Sequence, residues 1–144
     1  LIIFPSIKAH IKKLEIESKG RIFLASHKAF PDTYELLKES TILISDYSSI
    51  YHDYLLLDRP IFFIPYDYKW FSTQFGFLYD YQSRMPGGNV TDTKTLIGFL
   101  KSVFNDKDDF KKERSRLRDE IHTYKDRFSS ERVSREVLRL LNEL

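Results

Sequence analysis

Short apolar runs alternate with helix-like segments over the first 65 residues of this 144-residue chain, and this alternation limits the fold more than any other feature. Four runs predict strands: residues 1–4, 21–25, 41–45 and 60–65. Each run is largely apolar along its length, which is typical of strands that are covered on both faces in a parallel sheet. The sequence therefore predicts an α/β fold, with a Rossmann-like parallel sheet and helices on both of its faces.

The segments between these runs carry helix signals. Asp32 or Thr33 is placed to cap one helix, and residues 50–57 predict another. Residues 66–89 are rich in aromatic side chains without a clear period and end in a Pro-Gly-Gly turn. They predict a long loop that is either functional or a cover over apolar surface.

Residues 105–144 predict C-terminal helices that complete a single domain spanning residues 1–144. Thr91 or Asp92 is placed to cap the helix before them. The last helix is predicted to bury one face, made of Val133, Val137, Leu140, Leu141 and Leu144. Because Leu1 reads as the middle of a strand, we expect the chain to be part of a longer protein.

The composition argues against several kinds of protein. The absence of cysteine rules out a disulfide scaffold, a cysteine zinc site and a thiol nucleophile. The net charge is only +2, and the basic residues of the tail are interleaved with acidic ones, so no nucleic-acid partner is predicted. No apolar run approaches the ~18 residues of a membrane span. The four histidines form no His-x-x-x-His pair, and no metal site is predicted.

The segment after the third predicted strand is the richest in candidate binding groups. It consists of Ser45, Asp46, Tyr47, Ser48 and Ser49. Ligands of open parallel sheets bind beyond the carboxyl ends of the strands, beside the next helix. Hydroxyls and backbone N–H groups at that point attract an anion, so the segment predicts a phosphate site. The alternative, in which a serine only caps the helix and Asp46 only shapes the turn, stays open.

Other candidate ligand groups lie outside this segment. His27 follows the second predicted strand and is expected on the same side of the sheet, where it would contact a phosphate; the alternative is a histidine in a surface loop. Arg84 precedes the Pro-Gly-Gly turn, where Gly87 and Gly88 would let the backbone approach a ligand. A solvated arginine beside an ordinary turn is the alternative. Gly-x-Gly-x-x-Gly and the P-loop pattern are absent, which argues against dinucleotide oxidoreductases and P-loop NTPases.

Six pieces of sequence between residues 40 and 90 resemble one family in order and spacing. They are ILISDYSSI from Ile42, Asp53-Tyr54, Arg59-Pro60-Ile61-Phe62, Tyr66-Asp67, Gly76-Phe77 with Tyr79-Asp80-Tyr81, and Pro86-Gly87. The chain resembles the CDP-glycerol:poly(glycerophosphate) glycerophosphotransferase family, whose members build or prime polymers of the teichoic-acid type. The similarity covers the C-terminal part of that family and continues more weakly on both sides.

The resemblance implies a GT-B architecture in which this chain is the C-terminal, donor-binding half. Such enzymes transfer glycerol phosphate from CDP-glycerol to a hydroxyl of a lipid-linked acceptor and release CMP. By the same match, residues 45–49 hold the donor phosphates. Tyr47, together with Arg84, Gly87 and Gly88 of the turn considered above, is a candidate donor contact. The family's usual base is a histidine of the N-terminal half, so no residue of this chain is assigned as catalytic. CDP-glycerol is expected as a substrate rather than a cofactor, and the need for a divalent cation stays open.

One departure from the family leaves other functions open. The family commonly carries a basic residue and a His-Pro pair where this sequence reads Phe4-Pro5. Two alternatives therefore stand beside the first function. One is a GT-B enzyme that uses CDP-ribitol or a UDP-sugar to build capsule or surface polysaccharide. The other is a nucleotide-binding domain without catalysis.

The resemblance also implies partners and a location. The expected partners are the nucleotide-activated donor, the lipid-linked acceptor and the absent N-terminal half. Apolar surface left exposed by that absence would drive self-association into a homo-oligomer. The expected location is cytoplasmic, at the inner face of the cell membrane where a lipid-linked acceptor lies.

Overall fold

The computed structural model describes residues 5–26 and 28–143, with side chains from Ile11 onward. The first predicted strand, residues 1–4, and the candidate ligand His27 therefore lie outside the described residues. The chain divides after Glu39 into two compact units. The single domain expected from the sequence stays a prediction.

In its described residues, the first unit contains two helices and an irregular connection. Helix α1 spans Pro5–Glu17, and helix α2 spans Thr33–Glu39. The Asp32 carboxylate accepts a hydrogen bond from the Tyr34 N–H at 2.8 Å. This bond confirms the predicted cap, because it satisfies one of the N–H groups that the first turn of a helix leaves free.

The strand predicted at residues 21–25 is wrong. Two of its backbone N–H groups bond instead to side chains of the preceding helix and turn. Leu24 donates to the Glu15 carboxylate at 2.5 Å, and Ile22 donates to the Ser18 hydroxyl at 3.0 Å. An apolar run therefore forms an irregular loop here, because nearby polar side chains satisfy the backbone groups that a neighbouring strand would otherwise bind.

The second unit is built around a small parallel sheet with the strand order β1-β2-β3. The strands are β1 at Leu43–Ser45, β2 at Ile61–Phe63 and β3 at Gly88–Asn89. Ser45 of β1 lies opposite Phe63 of β2, which lies opposite Asn89 of β3. The predicted parallel arrangement is thus confirmed for the third and fourth apolar runs.

Strand β3 lies where the sequence predicted a Pro-Gly-Gly turn. Close packing requires glycine at this point. A Cβ on Gly87 would lie 2.1 Å from the Ile61 carbonyl oxygen, and a Cβ on Gly88 would lie 2.7 Å from the Phe99 ring. Both glycines are buried, and their lack of a side chain lets β3 approach β2 closely enough to pair.

Helices follow and connect the strands of this unit. They are α3 at Ile50–Tyr54, α4 at Tyr68–Gln74, α5 at Thr93–Phe104, α6 at Lys111–Ile121 and α7 at Ser129–Asn142. A 3-10 turn over Leu55–Leu57 extends α3 and confirms the helix predicted at residues 50–57. The Asp92 carboxylate accepts the Thr95 N–H at 2.7 Å, which confirms the predicted cap of α5. Helix α4 lies in the segment that was predicted as a long loop.

The buried core of the second unit comes mainly from α3, the sheet and α6. Its apolar and aromatic members are Tyr51, Tyr54, Leu55, Ile61, Phe62, Phe63, Tyr81, Val90 and Leu117. The side chains of β2 are at most 2% exposed, so β2 is the centre of the sheet in burial as well as in strand order. This arrangement leaves the carboxyl ends of all three strands at one edge.

Helix α7 has no buried residue, and all of its residues except the half-buried Arg132 are exposed. The face that was predicted as buried exposes Val133, Val137, Leu140 and Leu141, while Leu144 lies outside the described residues. The prediction that this face is buried in the core is therefore wrong, while packing against the absent half stays a prediction. Amphipathic spacing determines which residues share a face but not what covers that face. Among the described helices, none combines the length and the apolar content needed to cross a bilayer.

Candidate functional site

The carboxyl ends of the strands bring three loops side by side. The Ile64 N–H donates to the Ser45 carbonyl at 2.8 Å, and the Val90 N–H donates to the Phe63 carbonyl at 2.7 Å. These bonds continue the parallel ladder beyond the strands. The loops that begin at Ser45, Ile64 and Val90 therefore share one edge of the sheet, which is where open parallel sheets bind ligands.

Residues 45–49, called the serine loop from here on, form a turn held by its own side chains. The Asp46 carboxylate accepts the Ser48 N–H at 3.1 Å, and the Ser48 hydroxyl lies 3.4 Å from the Ile50 N–H. Ser49 stands at the N-cap position of α3, but its side chain makes no capping bond. Ser48 and Ser49 are both exposed. Asp46 therefore shapes the turn, while the two serine hydroxyls face solvent at the edge of the sheet.

Tyr47 turns its side chain into an aromatic cluster. Its ring stacks on Phe71 with centroids 4.1 Å apart and meets the edge of Tyr81 at 5.3 Å. Its hydroxyl is buried and makes no hydrogen bond. One carboxylate oxygen of Asp67 is likewise buried without a hydrogen-bond partner. Burial, and secondly the nearby Asp67 carboxylate, raise the pKa of the Tyr47 phenol. A direct contact between Tyr47 and a donor stays a prediction.

A cavity of about 510 Å³ opens beyond the ends of β2 and β3. Its polar lining includes Tyr66, Gln82, Asn89, Thr91 and Asp92. The described residues that line it offer hydroxyls, amides and one carboxylate, and include no lysine or arginine. The Thr95 N–H bonds to Asp92 and holds the pKa of that carboxyl below its usual value. The walls therefore suit uncharged hydroxyl and amide groups better than phosphates.

The remaining predicted donor contacts already have partners or packing roles. Arg84 pairs with Glu120 of α6, and its guanidinium lies 5.1 Å from the centre of the Tyr79 ring. The bond to Glu120 raises the pKa of Arg84. Gly87 and Gly88 are packed against β2 and α5. Donor contacts through these three residues stay predictions.

Two sets of interactions at this edge were missed from the sequence. The Tyr81 hydroxyl donates to the Asp46 carbonyl at 2.7 Å. The Tyr79 hydroxyl lies 3.3 Å from the Tyr51 hydroxyl and 3.3 Å from Nε2 of His52, and burial lowers the pKa of that histidine. The signal that could have found them is the Tyr-Asp-Tyr piece, which the resemblance included without assigning it a role. Among the described residues, no three His, Asp or Glu side chains are grouped so as to hold a metal ion.

A family model for CDP-glycerol:poly(glycerophosphate) glycerophosphotransferases matches residues 2–139. The chain belongs to this family. The resemblance carried by the six sequence pieces is confirmed, and the match extends well beyond residues 40–90. The family's place in teichoic acid synthesis is borne out by the relatives that the chain matches.

These relatives are much longer than this chain. A teichoic acid glycerol-phosphate primase of Bacillus subtilis is 36% identical over 50% of the chain and 19% of the relative. The primase of Bacillus spizizenii is 35% identical over 76% of the chain and 26% of the relative. A teichoic acid ribitol-phosphate polymerase of Staphylococcus aureus is 29% identical over 85% of the chain and 21% of the relative. The chain thus spans about a fifth to a quarter of each relative.

Proposed function

We propose that this chain supplies the donor-binding half of a GT-B glycerophosphotransferase. That enzyme transfers glycerol phosphate from CDP-glycerol to a hydroxyl of a lipid-linked acceptor in the synthesis of teichoic acid or a related surface polymer. The observation that carries the proposal is the serine loop, with Ser48 and Ser49 exposed at the carboxyl edge of a parallel sheet. Membership of the family supports the phosphotransferase class.

The two serine hydroxyls are suited to the donor phosphates. Hydroxyl groups donate short hydrogen bonds to charged phosphate oxygens, and such bonds are stronger than those between neutral groups. Asp46 does not oppose this role, because its carboxylate is turned to the Ser48 backbone N–H within the loop. His27 and the position of Phe4 lie outside the described residues, so a histidine contact to the phosphates is part of the proposal only through the resemblance.

The neighbouring cavity is suited to the nucleoside of the same donor. Adjacent strands lie about 4.8 Å apart, so the ends of β2 and β3 lie one and two strand spacings from the serine loop. A nucleoside and its diphosphate span a comparable distance. The hydroxyl, amide and carboxylate groups of the cavity match the ribose hydroxyls and the polar edge of a base. Asn89 and Thr91 are the side chains proposed to make these contacts.

The proposed reaction is a phosphoryl transfer. The acceptor oxygen forms a bond to the phosphorus that carries glycerol, and the bond from that phosphorus to the oxygen bridging to CMP breaks. The acceptor proton goes to a base, which the resemblance places in the N-terminal half of the enzyme. CMP leaves with the bridging oxygen and its negative charge. Ser48 and Ser49 stabilise this charge by hydrogen bonding, which is the contribution proposed for this chain.

The experiment is a nucleotide-binding screen by calorimetry with CMP, CDP-glycerol, CDP-ribitol and UDP-sugars. The double variant Ser48→Ala/Ser49→Ala should bind CDP-glycerol at least about tenfold more weakly, because a hydrogen bond to a charged group contributes roughly 1.5–3 kcal/mol. Ser134→Ala, which removes an exposed hydroxyl from α7, is the matched control and should bind like the wild type. Unchanged affinity of the double variant, or preference for UDP-sugars, would contradict the proposal.

CDP-ribitol is the second candidate donor. The relative from Staphylococcus aureus is named as a ribitol-phosphate polymerase. It matches 85% of this chain, against 50% and 76% for the two primases. Tighter binding of CDP-ribitol than of CDP-glycerol in the same screen would support this candidate. Binding without any turnover in the complete protein would support the non-catalytic alternative.

The acceptor and the location follow from the same proposal. A lipid-linked acceptor places the enzyme at the inner face of the cell membrane, as a peripheral protein. Sedimentation of the protein with vesicles that contain the acceptor lipid, compared with vesicles that lack it, measures this association directly.

A further inference from the structure

Tyr81 is buried at the point where the aromatic segment meets the serine loop. It is only 3% exposed, although it lies in a segment that was predicted as a loop. Its hydroxyl donates to the carbonyl of Asp46, 35 residues earlier in the chain, at 2.7 Å. Its ring stacks on Phe77 at 4.9 Å and meets Phe63 of β2 edge-on at 6.2 Å. The phenol is therefore held in a fixed place relative to the sheet.

The bond from Tyr81 is the first of a series that reaches the exposed hydroxyls. Asp46 is the first residue after β1, so the direction of its carbonyl sets the peptide plane from which the turn starts. The carboxylate of the same residue accepts the Ser48 N–H at 3.1 Å. The Ser48 hydroxyl then lies 3.4 Å from the Ile50 N–H at the start of α3. A change at the Asp46 carbonyl is thus transmitted to Ser48 through one residue.

We propose that Tyr81 is a positioning residue for the donor phosphates: by holding the Asp46 carbonyl, it fixes the serine loop in the conformation that presents Ser48 and Ser49. This inference rests on the proposed function of the serine loop. Tyr81 acts through the loop and does not touch the donor. A loop that is already ordered loses less conformational freedom on binding, so the hydrogen bond from Tyr81 increases affinity without adding a contact.

The protonation of the phenol is consistent with this role. Burial, and after it the neighbouring Tyr47 and Asp46, raise the pKa of Tyr81 above its ordinary value. The hydroxyl therefore keeps its proton and remains a donor over the whole neutral range. The Asp46 carbonyl has a permanent partner under the conditions in which the enzyme works.

The chain contains a matched tyrosine at the other end of the same strand. Tyr54 is fully buried, and its hydroxyl donates to the Ser40 carbonyl at 3.0 Å, just before β1. Tyr81 and Tyr54 thus make the same kind of bond, from a buried phenol to a main-chain carbonyl, on opposite sides of β1. Replacing either by phenylalanine removes one hydroxyl and keeps the ring.

The test measures both stability and CDP-glycerol affinity for Tyr81→Phe and Tyr54→Phe. Both variants should still fold cooperatively in chemical denaturation, but only Tyr81→Phe should lose affinity, by about 5- to 10-fold, which corresponds to one hydrogen bond of ordinary strength. The amide NMR signals of Ser48 and Ser49 should move in unliganded Tyr81→Phe and stay in place in Tyr54→Phe. Equal affinities for the two variants would overturn the inference.

A second variant keeps the Tyr81 hydroxyl but weakens the packing around the Tyr81 ring. Phe77→Leu removes the ring that stacks on Tyr81, and a smaller loss of affinity than in Tyr81→Phe is expected, with the protein still folded. If Ser48→Ala/Ser49→Ala weakens binding while Tyr81→Phe and Phe77→Leu do not, the inference fails and the proposed function stands. If the wild type binds none of the nucleotides, both fail.

Discussion

The two ends of β1 are anchored by similar bonds but surrounded by different chemistry. Before the strand, the Ser40 carbonyl accepts hydrogen bonds from Tyr54 at 3.0 Å and from Arg59 at 2.6 Å. After the strand, the Asp46 carbonyl accepts one from Tyr81 at 2.7 Å. In each case a side chain from later in the sequence holds a backbone group at the end of a three-residue strand. What differs is the surface that each anchor supports.

The amino end of the sheet is closed by charge pairs inside the protein. Arg114 of α6 is 1% exposed and binds the Asp108 carboxylate through two nitrogens. It also lies 3.5 Å from the carboxylate of Asp58, which precedes β2. The carboxyl end instead presents exposed hydroxyls and a cavity. The amino end is therefore held by buried charge pairs, while the carboxyl end has the exposed groups at the edge where open parallel sheets bind ligands.

The largest expected effect is loss of the buried arginine. Arg114→Ala removes the buried partner of the Asp108 carboxylate and leaves Asp58 with only the longer contact to Arg118. The free energy of unfolding should fall by about 3–5 kcal/mol, the usual cost of breaking a buried ion pair. Denaturant unfolding measures this change. The matched control is Arg116→Ala, which removes a half-exposed arginine of the same helix from its pairs with Glu113 and Glu120 and should change stability little. Equal losses of stability in the two variants would contradict the stabilising role of the buried Arg114 pair.

The next effect tests the close approach of β3 to β2. In Gly87→Ala the new Cβ meets the Ile61 carbonyl, so the backbone must move. The free energy of unfolding should fall by about 1–3 kcal/mol. Gly98→Ala in α5, where nothing lies within 4 Å of the new Cβ, should instead stabilise the protein by about 1 kcal/mol. A neutral Gly87→Ala would show that β3 tolerates a side chain, and that its glycines serve another purpose.

The smallest effect is a pH dependence at the amino end. The hydrogen bond from Arg114 holds the pKa of Asp108 below its ordinary value of 3.8. Since the unfolded chain takes up this proton more readily, the stabilisation is complete above pH 3.8 and is lost as the pH falls through the lower pKa of the folded state. Denaturation curves between pH 2 and pH 6 should show the free energy of unfolding falling with pH at the acid end in the wild type. The fall should be smaller in Asp108→Asn. The control Asp109→Asn removes a carboxylate one residue away. If it reduces the pH dependence of stability equally, the effect does not come from the Arg114 pair.

Local signals predicted much of the regular structure. Helix α5 follows from its apolar stripe and from Asp92, which caps it as expected. The parallel pairing of β1 and β2 follows from two runs that are apolar throughout. Residues 21–25 carry the same signal and form no strand, and the side chains of Ser18 and Glu15 accept the N–H groups of Ile22 and Leu24 instead. An apolar run shows that a segment can be buried, but the competition for its backbone groups is decided by its neighbours.

The position of the candidate site could be predicted from the sequence, but the contacts that hold it could not. The serine loop lies beyond the carboxyl end of β1, as the order of strand, polar turn and helix indicates. The sequence left open whether Asp46 shapes the turn, and the structure shows that its carboxylate does so. The anchoring of that loop by Tyr81 was not predictable, because the two residues are separated by two helices and a strand.

By itself, the sequence determined the α/β class, the parallel pairing of its two longest strands, the position of the serine loop and the family. These depend on side-chain pattern and on residues close together in the chain. Only the tertiary structure decided that Gly88 and Asn89 would form a third strand, that the apolar face of α7 would be exposed, and that Tyr81 would bind the serine loop. Each of these depends on which distant surface a residue meets, and that is set by packing of the whole unit rather than by local preference.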